Sequence, residues 1–251
     1  MKYSEGRLLA RAATCRAATV GKRFQNTLGL FLIIAGCAGA ASIPAGQGET
    51  LHYSINWPSG LSLGEGELHA SRAAAAGNLS LEFNLDAGVP GFAVLDDYRS
   101  KASSKFCSEE FDRKFQHGSR KSNEKTTFAA QAGTATRRTE GGGKSELKTS
   151  DCGKDALAFL YYVRSELSEG RLPAPQAVFF GSPYQVRLEF GGTQTLKLGD
   201  KTIQADRLLG TAKGPASEAH FEIFFEQNPA RTPVLIKAPL ALGTFSMELT
   251  Q

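Results

Sequence analysis

One stretch of this chain breaks an otherwise strand-like pattern. Ser150 to Gly170 reads SDCGKDALAFLYYVRSELSEG, and Ala156, Phe159, Leu160, Val163 and Leu167 recur at helical spacing. Ser150 or Asp151 is placed to cap the first turn, and Gly170 supplies the stop. Nearly everything after residue 48 alternates instead. Leu51, Tyr53, Ile55 and Trp57 share one face of a first strand, and Leu79, Leu81, Phe83 and Leu85 do the same further on. Short turns rich in glycine, proline and asparagine separate such runs, including Pro58-Ser59-Gly60, Asp86 to Gly91, Gly191-Gly192 and Asn228-Pro229. Spacings this short favour hairpins. The expected fold is therefore mainly β: a large curved antiparallel sheet or open barrel-like β domain, with one amphipathic helix packed on it as a plug. Gly64 and Gly66 mark a bulge or a close approach.

The first 36 residues belong to a different chemistry. Lys2, Arg7, Arg11, Arg16, Lys22 and Arg23 face one acid, Glu5, and the apolar run Leu28 to Ala35 follows. This order of basic, apolar and small residues is that of a secretory signal, and the apolar run is far short of the roughly 20 residues that span a bilayer. Two exits compete. Ala38-Gly39-Ala40 fits ordinary signal peptidase, whereas Ile34-Ala35-Gly36-Cys37 resembles a lipobox in which Cys37 carries the lipid. The apolar run ends directly on the box, which favours the anchor. The expected organisation is a signal peptide over 1–36, a flexible tether over 37–48 and a single β-rich domain over 49–251. The protein is expected outside the cytoplasm, in the periplasm or at the outer membrane. The chain's formal +4 is owed to the leader: without residues 1–36, 23 basic and 24 acidic residues remain. Nothing in that balance calls for nucleic acid.

Two body cysteines in an exported chain predict one disulfide, Cys107 to Cys152. The competing reading is a reactive thiol at Cys152, whose place in the helix's first turn would lower its pKa. Lys105 to Thr149 is the polar half, with Phe106, Phe111 and Phe115 set among alternating charges that read as a solvated sheet face. Lys144-Ser145 follows three glycines but lacks the earlier glycine of a phosphate-binding loop, Arg138 standing in its place. His52, His69, His117 and His220 are scattered, and the pairs Asp96-Asp97 and Glu109-Glu110 alternate across strand faces. No catalytic, metal-binding or cofactor-binding residue is assigned, and the balance is against an enzyme.

Three pieces, LHYSINWPSGLSLGEGEL, DALAFLYYVRSELSEG and PVLIKAPLALGTFSMEL, resemble a bacterial exported family known as domain of unknown function 3108. The resemblance covers most of Leu51 to Leu249 and implies a periplasmic or surface β-rich domain. It brings no activity, cofactor or catalytic residue. Curved sheets closed by a helix offer a cavity, so the leading expectation is a lipid or other apolar small molecule bound in the concave face. Trp57, Phe159, Tyr161 and Tyr162 are its candidate lining. An envelope protein partner held by the charged face around Phe111 to Lys125 is the alternative, and an enzyme using Cys152 is a third.

Overall fold

The computed structural model describes residues 48–73, 77–240 and 243–250. The proposed signal peptide, Cys37 and the tether up to residue 47 lie outside the described residues. The strands in chain order are β1 (Gly48–Asn56), β2 (Ser62–Arg72), β3 (Leu79–Val89), β4 (Phe92–Ala102), β5 (Ser108–His117), β6 (Arg120–Ala129), β7 (Thr134–Thr139) and β8 (Lys144–Lys148). The two-residue β9 (Lys154–Asp155) leads into α1 (Ala156–Ser168). Then follow β10 (Gln176–Phe180), β11 (Ser182–Leu198), β12 (Lys201–Lys213), β13 (Glu218–Glu226), β14 (Pro233–Leu240) and β15 (Gly243–Leu249).

All fifteen strands form one sheet, in the order β8-β7-β6-β5-β4-β3-β2-β1-β15-β14-β13-β12-β11-β10-β9. Every pairing is antiparallel except β9 with β10. The sheet is two meanders joined where β1 meets β15, with Tyr53 opposite Leu249. It does not close edge to edge; its β9 end meets β5 instead. The Ser108 amide donates to the Gly153 carbonyl at 2.9 Å, and Cys107 is bonded to Cys152. In the chain-entropy model, that 45-residue loop closure contributes about 4 kcal/mol.

The meeting is an overlap. Val178 packs in the helix-side cluster, so Phe179, the next residue of β10, points to the other face. Phe179 is nevertheless only 2% exposed, because Phe128 of β6 meets its ring edge-on at 5.2 Å. The β6–β8 flap thus laps over the outer face of β10, and Arg137 donates to the Gly181 carbonyl to hold it.

The helix differs from expectation at its start. Its N-cap is Asp155, whose carboxylate accepts from the Leu157 and Ala158 amides at 2.9 and 3.1 Å. Ser150 and Asp151 cannot serve, because the disulfide and the β9–β10 pairing hold the chain extended up to Asp155. Cys152 accordingly precedes the helix instead of lying in its first turn. The stripe is widened by the flanking Leu157 and Tyr161, as the pattern predicts, while Tyr162 is half-buried. Phe159, Val163 and Leu167 pack on β10–β13 residues, while Leu157, Ala158 and Tyr161 pack on β1–β5 residues, and Ala156 and Leu160 are half-buried. Lying between two walls, the helix buries two stripes.

Two strand expectations are corrected. Gly191-Gly192 is a bulge inside the continuous β11 and not a turn, with pairing to β12 resuming at Thr193 opposite Asp206. β3 runs to Val89, leaving only Pro90-Gly91 to turn the chain. Around Gly64 the expected bulge and close approach both occur. The β1–β2 register shifts beside it, and a Cβ at Gly64 would collide with the Asp86 backbone.

Candidate functional site

Two buried polar clusters hold the helix across the interior. At its start, Asp155 is fully buried and its second oxygen accepts from Ser100 Oγ at 2.6 Å and Ser108 Oγ at 2.5 Å. The Asp155 amide donates back to Ser108 Oγ at 2.8 Å. Burial pushes the Asp155 carboxyl pKa up, opposed by these hydroxyls and by the helix amides. Two turns on, Arg164 is 4% exposed and grips Glu49 with both terminal nitrogens, at 2.6 and 2.8 Å, while its Nε donates to the Ala230 carbonyl. Tyr161 Oη donates to the same carboxylate at 3.1 Å. Burial works against a charged Glu49, but the Arg164 guanidinium and the Tyr161 hydroxyl hold its pKa below the usual range. The arginine therefore sits in an apolar helix face because its charge is paired and its donors are used.

Beyond the helix the concave face continues, in part uncovered. Strand pairing aligns Val94, Ala87, Gly64, Ile55, Met247, Ile236, Ile223, Leu208 and Phe190 into one row across nine strands. Every member is apolar or glycine. Under the helix, Tyr53, Leu68, Leu81 and Phe111 are at most 1% exposed, and within the row Leu208, Ile55 and Ala87 are buried too, whereas Met247, Ile236, Ile223 and the nearby Phe245 are only half-buried. A side chain at Gly66 would reach van der Waals contact with Ile55 and Met247, so the wall is hollowed there.

The four aromatic candidates are divided by the structure. Phe159 and Tyr162 are neighbours on the helix, 6.4 Å between rings, and Lys154 Nζ lies 4.5 Å over the Tyr162 ring. Tyr161 faces the Glu49 cluster, and Trp57 stands at the end of β1, edge-on to Phe245 at 4.8 Å. Of the four, Trp57 alone belongs to the uncovered wall. Met247, Ile236 and Ile223 carry an ordinary strand alternation in the sequence; their joining into one surface depends on register. Cys152 is disulfide-bonded to Cys107 and offers no free thiol.

The polar middle is solvated on one face only. Its inner face carries the Arg113–Glu124 pair at 3.1 Å, with the guanidinium stacked between the Phe115 and Phe180 rings. The outer face holds an open groove of about 730 Å³ lined by Leu95, Asp97, Lys114, Lys121 and Glu140. Among the described residues, no group of three or more histidine, cysteine or acidic side chains is arranged to hold a metal.

A crystal structure of a beta-barrel-like protein of domain of unknown function DUF1849 from Brucella abortus shares this fold. It has a TM-score of 0.60 at 8% identity, over 84% of this chain and 98% of that one. No curated protein matches the chain. The family model described as "Protein of unknown function (DUF3108)" matches residues 51–250, and the chain belongs to that family.

Proposed function

We propose that this protein is an exported, non-enzymatic binding protein of the cell envelope, tethered through a lipid on Cys37, which holds a lipid or other apolar ligand against the uncovered part of its concave face. The supporting observation is the nine-strand apolar row, half-buried where the helix does not reach. A side chain left half-exposed on a concave wall gains further burial when an apolar ligand seats on it. Native mass spectrometry of the chain, exported with its own leader and purified without detergent, tests this. An added mass released on denaturation as an apolar compound is the expected result. A bare polypeptide mass, with exchange of added fatty acid or phospholipid also absent, would overturn it. A protein-partner reading draws on the outer groove, whose mixed charges beside exposed Leu95 suit a protein surface.

A further inference from the structure

We propose that the β3–β4 and β5–β6 turns, with the β1–β2 turn beside them, form a lip that docks on a membrane surface carrying anionic headgroups. This is independent of the ligand reading above, since the lip would dock whether or not the concave face is occupied.

Among the described residues, three of the seven large apolar side chains left exposed lie at these turns. Leu61 is 65% exposed in the β1–β2 turn, and Val89 and Phe92 are 41% and 49% exposed on either side of Pro90-Gly91. Strands β2 and β3 are neighbours with Gly64 opposite Ala87, so the first two turns project side by side. The third is fastened to the second. Gly118 has φ +60°, and a Cβ there would lie 2.8 Å from the Phe92 ring, so the ring rests directly on the glycine. The Gly118 amide donates to the Ala93 carbonyl at 2.8 Å.

Two and three residues after that glycine come Arg120 and Lys121, both exposed and, among the described residues, in no salt bridge. The Arg120 guanidinium sits 5.6 Å over the ring of the core residue Phe115, and Arg120 pairs with His117 where β5 turns into β6. Asp96 is engaged with His117 Nε2 at 2.9 Å, and Asp97 and Glu140 line the outer groove together with Lys121. Apolar tips flanked by unpaired basic residues match the layering of a membrane interface, with acyl chains beneath anionic headgroups. Leu61, Val89 and Phe92 stand at two adjoining hairpin turns, which suits insertion among acyl chains, and Lys121 beside them also lines the outer groove. Three apolar side chains and two charges make such a contact reversible.

The test uses the chain in unlipidated, leader-cleaved form with vesicles of phosphatidylglycerol mixed with phosphatidylcholine, against phosphatidylcholine alone. Co-sedimentation with the vesicles reports docking whether or not the wall to which Trp57 belongs takes up a lipid molecule. The expected result is co-sedimentation with anionic vesicles that falls about tenfold in apparent affinity in the Arg120→Glu/Lys121→Glu variant. Val89→Ser/Phe92→Ser should lose the co-sedimentation, and Leu172→Ser, also at an exposed position, should keep it. Unchanged thermal unfolding of each variant verifies folding. Equal co-sedimentation with neutral vesicles, or co-sedimentation retained by both lip variants, would overturn the proposal.

Discussion

The concave face under the helix and the same face beyond it are built from the same residue types on the same strands, yet only one is closed. Tyr53 and Ile55 are two residues apart on β1. Tyr53 is sealed, its hydroxyl donating to the Pro233 carbonyl at 2.8 Å, while the row through Ile55, itself still buried, runs out to half-buried Met247 and Ile236. Apolarity therefore does not decide which part of the sheet becomes core. Coverage does, and coverage here depends on one helix of 13 residues held by polar contacts near its two ends.

Releasing the helix should break that contrast with the largest effect. Glu49→Ala leaves Arg164 charged, buried and unpaired, and should cost about 3–5 kcal/mol in urea unfolding. The double change Glu49→Leu/Arg164→Met should recover most of this loss, because the desolvation of both charges is removed with the pair. A single-variant loss below about 1 kcal/mol would mean that the pair does not hold the helix.

A matched truncation sharpens the comparison. Phe159→Ala, in the covered part, should cost about 3–4 kcal/mol, since the helix cannot collapse into the space left between two walls. Ile236→Ala, in the uncovered part, should cost only about 1–2 kcal/mol, because water or a ligand already meets one side of that residue. Equal losses would remove the distinction between the two parts.

The two polar clusters should separate by the sign of their pH dependence. Glu49 has a folded pKa below its ordinary 4.5, so its contribution is present above that value and lost as pH falls through the folded pKa. Asp155 has a folded pKa above its ordinary 3.8, so its contribution is full below that value and lost as pH rises through the folded pKa. Urea midpoints compared near pH 6 and pH 3 should therefore fall less on acidification for Glu49→Gln than for the parent chain. For Asp155→Asn they should fall more. Parallel shifts in the two variants would contradict the opposed assignments.

Much of this architecture was legible in local pattern. The alternation of Leu51, Tyr53 and Ile55 and the periodicity of Phe159, Val163 and Leu167 specify strand and helix because side-chain direction follows directly from backbone geometry. The plugging role of the helix and the pairing of Cys107 with Cys152 could be read from the contrast of one helix with many strands, and from a lone cysteine pair after residue 37. The cap and the inner polar residues were less visible. Asp155 lies four residues after Asp151, and either could cap; the disulfide and the β9 pairing select the second. Arg113 and Glu124 read as surface charges in an alternating run, and only their place on the inner face, with Phe180 stacked on the guanidinium, distinguishes them.

By itself the sequence determined the elements: which runs are strands, where the helix lies, and which faces are apolar. Tertiary structure alone decided what those faces meet. Arg164 finds Glu49 across 115 residues, Phe179 is buried on the outer side of its strand because β6 overlaps it, and a nine-strand apolar row exists only once β1 pairs with β15. Periodicity is a property of neighbouring residues, whereas register and overlap arise from contacts between residues distant in the chain.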